Sequence, residues 1–166
     1  MQLIEFFLWR NLNNPRLNNL FSIMGSLLLI IQPIASLLIL KDDNLKYKLI
    51  TIYSLVAFSY FIYQNYDHKM ITIVSKSGHL AWKWAEFSGY TKILYLLWFV
   101  TAFYSLFVNK YYEAIIYAFI LIFISYYSYH KDGSAGSLWC WSLNSIMLYY
   151  AFKLLIWLPF KENGIC

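Results

Sequence analysis

Uncharged apolar runs alternate along this chain with short polar links, and the lengths of the runs set the first expectation. The cleanest run is Leu20 to Leu40, 21 residues without a charge. As a helix rising about 1.5 Å per residue it would cover about 31 Å, the thickness of a bilayer's hydrocarbon core. A second run, Leu49 to Tyr66, follows a polar link (Lys41 to Lys48) whose Asp42, Asp43 and Asn44 have the composition of a turn between antiparallel helices. The third and fourth, Ile93 to Asn109 and Ala114 to His130, are separated only by Lys110 to Glu113, so they should form a tight helical hairpin. Tyr111 and Tyr112 at one end of the fourth run, with Tyr126, Tyr127 and Tyr129 at the other, read as two aromatic belts. Glu113 would sit favourably against the positive N-terminal end of that helix. The fifth run, Ser137 to Phe160, is interrupted by Lys153, which can snorkel to the interface, and as a helix should end near Leu158, ahead of Pro159.

Two pieces do not fit the pattern of spans. Met1 to Trp9 is apolar apart from Gln2 and Glu5 but too short to cross a bilayer, and no basic region or cleavage site marks a signal peptide. It reads as an interfacial helix, or as the end of a longer one that begins upstream. Residues 67–92 form an interfacial link. They mix a β-like run, Met70 to Val74, with an amphipathic segment, His79 to Trp84, expected to lie on the membrane surface. The chain is thus expected to be one membrane domain over residues 1–166, an all-α integral membrane bundle of about five transmembrane helices, with a range of four to six.

Composition removes the other classes. With 61% hydrophobic residues, 13% charged and a mean hydropathy of +0.52, a water-soluble domain is excluded. Aromatics at 22% exclude disorder. The net charge of +5 is carried singly at the edges of apolar runs, where Lys41, Lys46, Lys92 and Lys110 can meet headgroups, so no phosphate track for nucleic acid exists. The same even spread leaves orientation undecided: seven basic residues fall on one side of a five-span chain and six on the other. Cys140 and Cys166 cannot make a disulfide framework, and the Gly164-Ile165-Cys166 ending lacks the spacing for prenylation. There is no internal repeat of the kind that marks secondary transporters.

Candidate chemistry lies on two polar stripes and at a few isolated positions. In the first span Ser22, Gly25, Gln32 and Ser36 share a narrow arc, with Pro33 removing a backbone donor beside Gln32. This face would line a site, or serve close helix packing, which is the commoner use of such residues. In the fifth span Gly133, Ser137, Cys140, Asn144 and Ala151 align, with Trp139 and Trp141 near the entry end. Asn144 is placed to bond Gln32, or Thr101 and Ser105 on the third helix. Cys140 lacks an adjacent base and reads as a small hydrophobe. Glu5, His79, Trp82 and Trp139 are interfacial candidates. Glu5 stands in an apolar stretch, where a carboxylate is a functional candidate by default unless it reaches water. No two of His68, His79, His130, Glu86, Glu113 and the cysteines lie at the interval that would put two ligands on one helix face, so no metal and no cofactor is expected.

The pieces Met1-Gln2-Leu3-Ile4-Glu5-Phe6-Phe7-Leu8-Trp9, Gln32-Pro33, Gly78-His79-Leu80-Ala81-Trp82 and Gly136-Ser137-Leu138-Trp139-Cys140-Trp141 through Asn144 together resemble an uncharacterised family of multi-pass membrane proteins of large DNA viruses of protists. The resemblance covers most of the chain. It implies membrane residence and a viral origin, with further helix before the Met-Gln-Leu-Ile-Glu stretch, and it implies no known reaction. The expected role is structural or interactive, in a host or virion membrane, with the lipid bilayer and other membrane proteins or further copies of the chain as partners. The alternative is a small transporter or channel using Gln32, Asn144 and the kink at Pro33. A lipid-modifying enzyme with Glu5 and His79 as acid and base is the least favoured class.

Overall fold

The computed structural model describes residues 1–67, 70–85 and 91–157. His68, Glu86, Pro159 and Cys166 lie outside the described residues, as does the side chain of Lys153. The chain runs α1 (Gln2–Arg10), α2 (Pro15–Leu37), α3 (Asp43–Asp67), β1 (Thr72–Val74), β2 (Leu80–Trp82), a 3-10 turn (Lys83–Ala85), α4 (Thr91–Val108), α5 (Tyr112–Tyr129), a second 3-10 turn (His130–Asp132) and α6 (Ala135–Phe152), which widens into a π-helical turn at Lys153–Trp157. It is an all-α membrane bundle. Among the described residues, four segments are long and apolar enough to cross a bilayer: Pro15–Leu37, Asp43–Tyr66, Thr91–Val108 and Tyr112–Asp132.

The helices begin where caps allow, which is earlier than where charge stops. Asn14 Oδ1 accepts the backbone N–H groups of Arg16 and Leu17, and Pro15 takes the first helical position, so α2 starts ahead of Leu20. Asp42 Oδ1 accepts from the Leu45 N–H in the same way, and Lys46 pairs with Asp43. Most of the expected Lys41–Lys48 link is therefore helix, and the connection shrinks to Leu38–Asp42. At the other end of α4 the Tyr111 N–H bonds Leu106 O (2.9 Å) and the Lys110 N–H bonds Phe107 O (3.0 Å), a Schellman closure. Lys110 takes the left-handed position at φ 62°. Lys110→Gly is accordingly expected to raise stability by up to about 1 kcal/mol, read as a higher Tm in detergent.

Helix α2 is the centre of the bundle. It packs most extensively on α4, and also on α1, α3, β1 and the first 3-10 turn, while α5 and α6 form a second close pair joined to the rest through α4 and β2. The wedge between the two groups is aromatic. Trp82, Trp84, Trp98 and Trp139 are buried there with Leu8, Met70, Leu80 and Cys140. By contrast α3 and α5 expose most of their length, as helices facing lipid do; Phe123 on α5 is 70% exposed.

Residues 70–85 depart from expectation. A surface-lying segment was expected there; the structure has a hairpin folded into the bundle, with Thr72 opposite Trp82, Ile73 opposite Ala81 and Val74 opposite Leu80. Its turn closes through the Ser75 N–H to His79 O and the Gly78 N–H to Ser75 O, and Gly78 supplies the φ of 80° that the turn requires. Leu80, Ala81, Trp82 and Trp84 are all buried.

Candidate functional site

The hairpin is held by a polar seam along α2. Asn18, four residues into the helix, treats β1 as a strand partner: its Nδ2 donates to Thr72 O at 2.8 Å and its Oδ1 accepts the Thr72 N–H at 3.0 Å. One turn on, Ser22 Oγ and Thr72 Oγ1 lie 2.8 Å apart, and Trp84 Nε1 donates to the same Thr72 hydroxyl at 3.2 Å. Asn19 Nδ2 reaches Met70 O at 2.9 Å. A backbone that is neither helix nor closed sheet has its polar groups taken up by side chains here, which is the condition for irregular backbone inside a membrane protein. Gln64 continues the pattern by donating to Trp84 O, and the Tyr95 hydroxyl by donating to Ala85 O at 2.7 Å.

Small residues let the indoles in. Trp84 lies over Gly25, where an added Cβ would sit 3.5 Å from its ring. Gly25 is ten residues beyond Pro15, about 15 Å along α2. Trp82 stacks on Trp84 with ring centroids 5.3 Å apart, and its other face meets α6 at Gly136, where a Cβ would come within 3.1 Å of the ring. Trp139 stands edge-on to Trp98 at 5.4 Å. Trp82 and Trp139, read from sequence as interfacial candidates, are buried within the protein, at 4% and 8% exposure. The reason is geometric. Gly25 and Gly136 leave ring-sized grooves that a helix surface otherwise lacks.

Glu5 is also inside. It is 3% exposed, one face of α1 being turned to α6, where Ser137 Oγ donates to Glu5 Oε1 at 2.6 Å. Burial pushes the Glu5 carboxyl above its usual range, with the Ser137 bond opposing. A carboxyl whose folded pKa is raised favours folding most while protonated. Its contribution is complete below the unfolded value, about 4.3, and is lost as pH rises through the folded value. The Glu5→Gln variant should therefore show a flatter stability curve than the wild type above pH about 4, with the difference widening toward neutrality, as measured by Tm in detergent.

The other candidates are dispersed. Pro33 is buried within a continuous α2; Gln32 and Asn144 are half-buried, and neither amide bonds another helix. The bond across that level comes from Ser36, whose hydroxyl donates to Ala102 O at 2.6 Å and meets Ser105 Oγ. Cys140 is buried in the aromatic wedge. His79 caps the outer end of the hairpin edge-on to Tyr129, centroids 5.6 Å apart, so it and Glu5 engage different partners. Among the described residues no group of three His, Cys, Asp or Glu side chains converges as metal ligands would. Between α2, α3 and α4 a cleft edged by Ser26, Tyr53, Tyr60, Gln64, Tyr95 and Trp98 has a free volume of about 40 Å³, enough for a few waters and far below that of a ligand pocket.

Sequence reading missed the pairing of Asn18 with Thr72, which joins residues 54 apart. One local signal was present: Asn14-Pro15 is a helix start, and it would have placed Asn18, Asn19 and Ser22 inside the first turns of a helix. Set against protein-family models, curated proteins and solved structures, the chain matches none of them.

Proposed function

We propose that the protein is a non-catalytic, interactive component of a membrane: a multi-pass bundle that associates with other membrane proteins, or with further copies of itself, through the aromatic outer faces of α3 and α5. The observation that carries this reading is the use of polar groups in the spans. Tyr53 donates to Ile30 O at 3.0 Å, Trp98 Nε1 to Leu29 O at 2.7 Å, and Ser36 closes on Ser105. These groups join helix to helix, and the cleft among them is only about 40 Å³. A solute path would need them free. With α6 as the fifth span, the hairpin and α1 lie together on one side of the bundle. The resemblance of its residue patterns to those of viral membrane proteins points to a host or virion membrane.

Proteoliposomes test this in one preparation. Energy transfer between donor- and acceptor-labelled copies should exceed that of randomly mixed lipids at the same density, and flux of ions and small neutral solutes should equal that of protein-free vesicles. Flux above that background, lost on Gln32→Leu or Asn144→Leu, would establish the transporter reading instead.

A further inference from the structure

The polar contacts that tie the non-spanning parts of the chain to α2 and to α6 are built differently. Along α2 the hairpin is bound by a set of paired side chains, Asn18, Ser22, Thr72 and Trp84. Where α1 meets α6, the side-chain bond is Ser137 Oγ to Glu5 Oε1 at 2.6 Å. One turn before Glu5 on α1, both polar atoms of the Gln2 amide are buried with no protein partner. Helix α1 has nine residues, too few to stay helical unaided, and it rests on α2 by apolar contacts, Phe7 stacked on Phe21 and Met1 and Ile4 against Gly25, so its polar face toward α6 is where it can part.

We propose that the contact between α1 and α6 is a proton-binding site centred on Glu5: with the proton bound, α1 is closed on α6, and its loss parts the two helices and uncovers Cys140. Helix α6 turns Ser137 and Cys140 toward Glu5, α1 contributes the amino group of Met1, and the residues of α2 and β2 at this turn, Gly25 and Trp82, carry no titratable group. A protonated carboxyl and a hydroxyl can each donate to the other. A carboxylate in the same place has one hydroxyl donor and little solvation, and water can supply the rest only if the helices separate. Ionisation is therefore linked to opening, with Cys140, 6% exposed when closed, as the natural reporter.

The test is the rate at which a small uncharged maleimide labels Cys140, in a Cys166→Ser background, compared between Glu5 and Glu5→Gln chains from pH about 4 to about 9. Labelling proceeds from the open form, in which Cys140 is parted from Glu5, so its thiol ionisation there is common to both chains and cancels in the ratio. That ratio should climb by up to about tenfold per pH unit between the ordinary carboxyl range and the folded value, then level off. Ser137→Ala should raise labelling already at the acid end. Hydrogen exchange of the α1 amides in the wild-type chain, corrected for its intrinsic pH dependence, gives a second readout that needs no foldable Glu5→Gln variant, and it should accelerate over the same window. A flat labelling ratio, or α1 exchange that does not change with pH, overturns the proposal.

Discussion

Trp84→Ala is expected to be one of the two most damaging single substitutions, lowering stability in detergent by about 3 to 5 kcal/mol. Trp84 is buried at the meeting point of hairpin, α2 and α4, stacked on Trp82 and seated over Gly25, and its indole N–H donates to Thr72. Its removal leaves a ring-sized hole that the flanking helices, fixed to each other elsewhere, cannot close. Trp84→Phe keeps most of the ring volume and loses the hydrogen bond, so it should cost less, about 1 to 3 kcal/mol. Phe123→Leu on the exposed face of α5 should stay within about 0.5 kcal/mol. Equal effects of the three substitutions would mean that the indole wedge does not hold the bundle together.

The second large effect is expected at Asn18. In Asn18→Leu both the N–H and the C=O of Thr72 lose their partner while staying inside the bundle. At about 1 to 3 kcal/mol for each unpaired buried group, the loss is about 2 to 6 kcal/mol. Asn13→Leu, at an exposed position in the link before α2, is the control and should be close to neutral. Hydrogen exchange would localise the damage: the Thr72 amide should lose protection in Asn18→Leu before α5 and α6 do. Uniform loss of protection across all helices would instead make Asn18 an ordinary packing residue.

How far the sequence could be read depended on the range of the interaction. Hydropathy is a local property, so the long apolar helices follow from it; α4 and α5 begin two residues ahead of the runs at Ile93 and Ala114. Helix ends depend on caps. Asn14-Pro15 and Asp42 move the starts of α2 and α3 back by five or six residues into charged sequence, because a helix needs hydrogen-bond closure at its end and not an apolar side chain there. The hairpin was harder to place. Its alternation was visible between Met70 and Val74, but an aromatic segment such as Leu80 to Trp84 satisfies a lipid surface and a protein interior equally well. What decides between them is a groove in another element, Gly25 on α2 and Gly136 on α6, more than 50 residues away in either direction. Glu5 illustrates the same limit. Its environment is set by Ser137, 132 positions along the chain. Gln32 and Asn144 carried the strongest polar signal within their spans, yet the bond between helices falls to Ser36 and Ser105, whose short side chains fit where two helix backbones run close.

The central claim is that the long helices cross the membrane in alternation and that the hairpin enters the bundle from the side that carries α1. Two-sided thiol labelling of oriented vesicles tests it most directly, with single cysteines introduced in a Cys140→Ser, Cys166→Ser background at Asp43, Ser77, Lys110 and Lys131, all exposed positions. The structure predicts that Ser77→Cys and Lys131→Cys react with an impermeant reagent from one face, and Asp43→Cys and Lys110→Cys from the other. Labelling of Asp43→Cys and Ser77→Cys from the same face would contradict it, because α3 would then not cross.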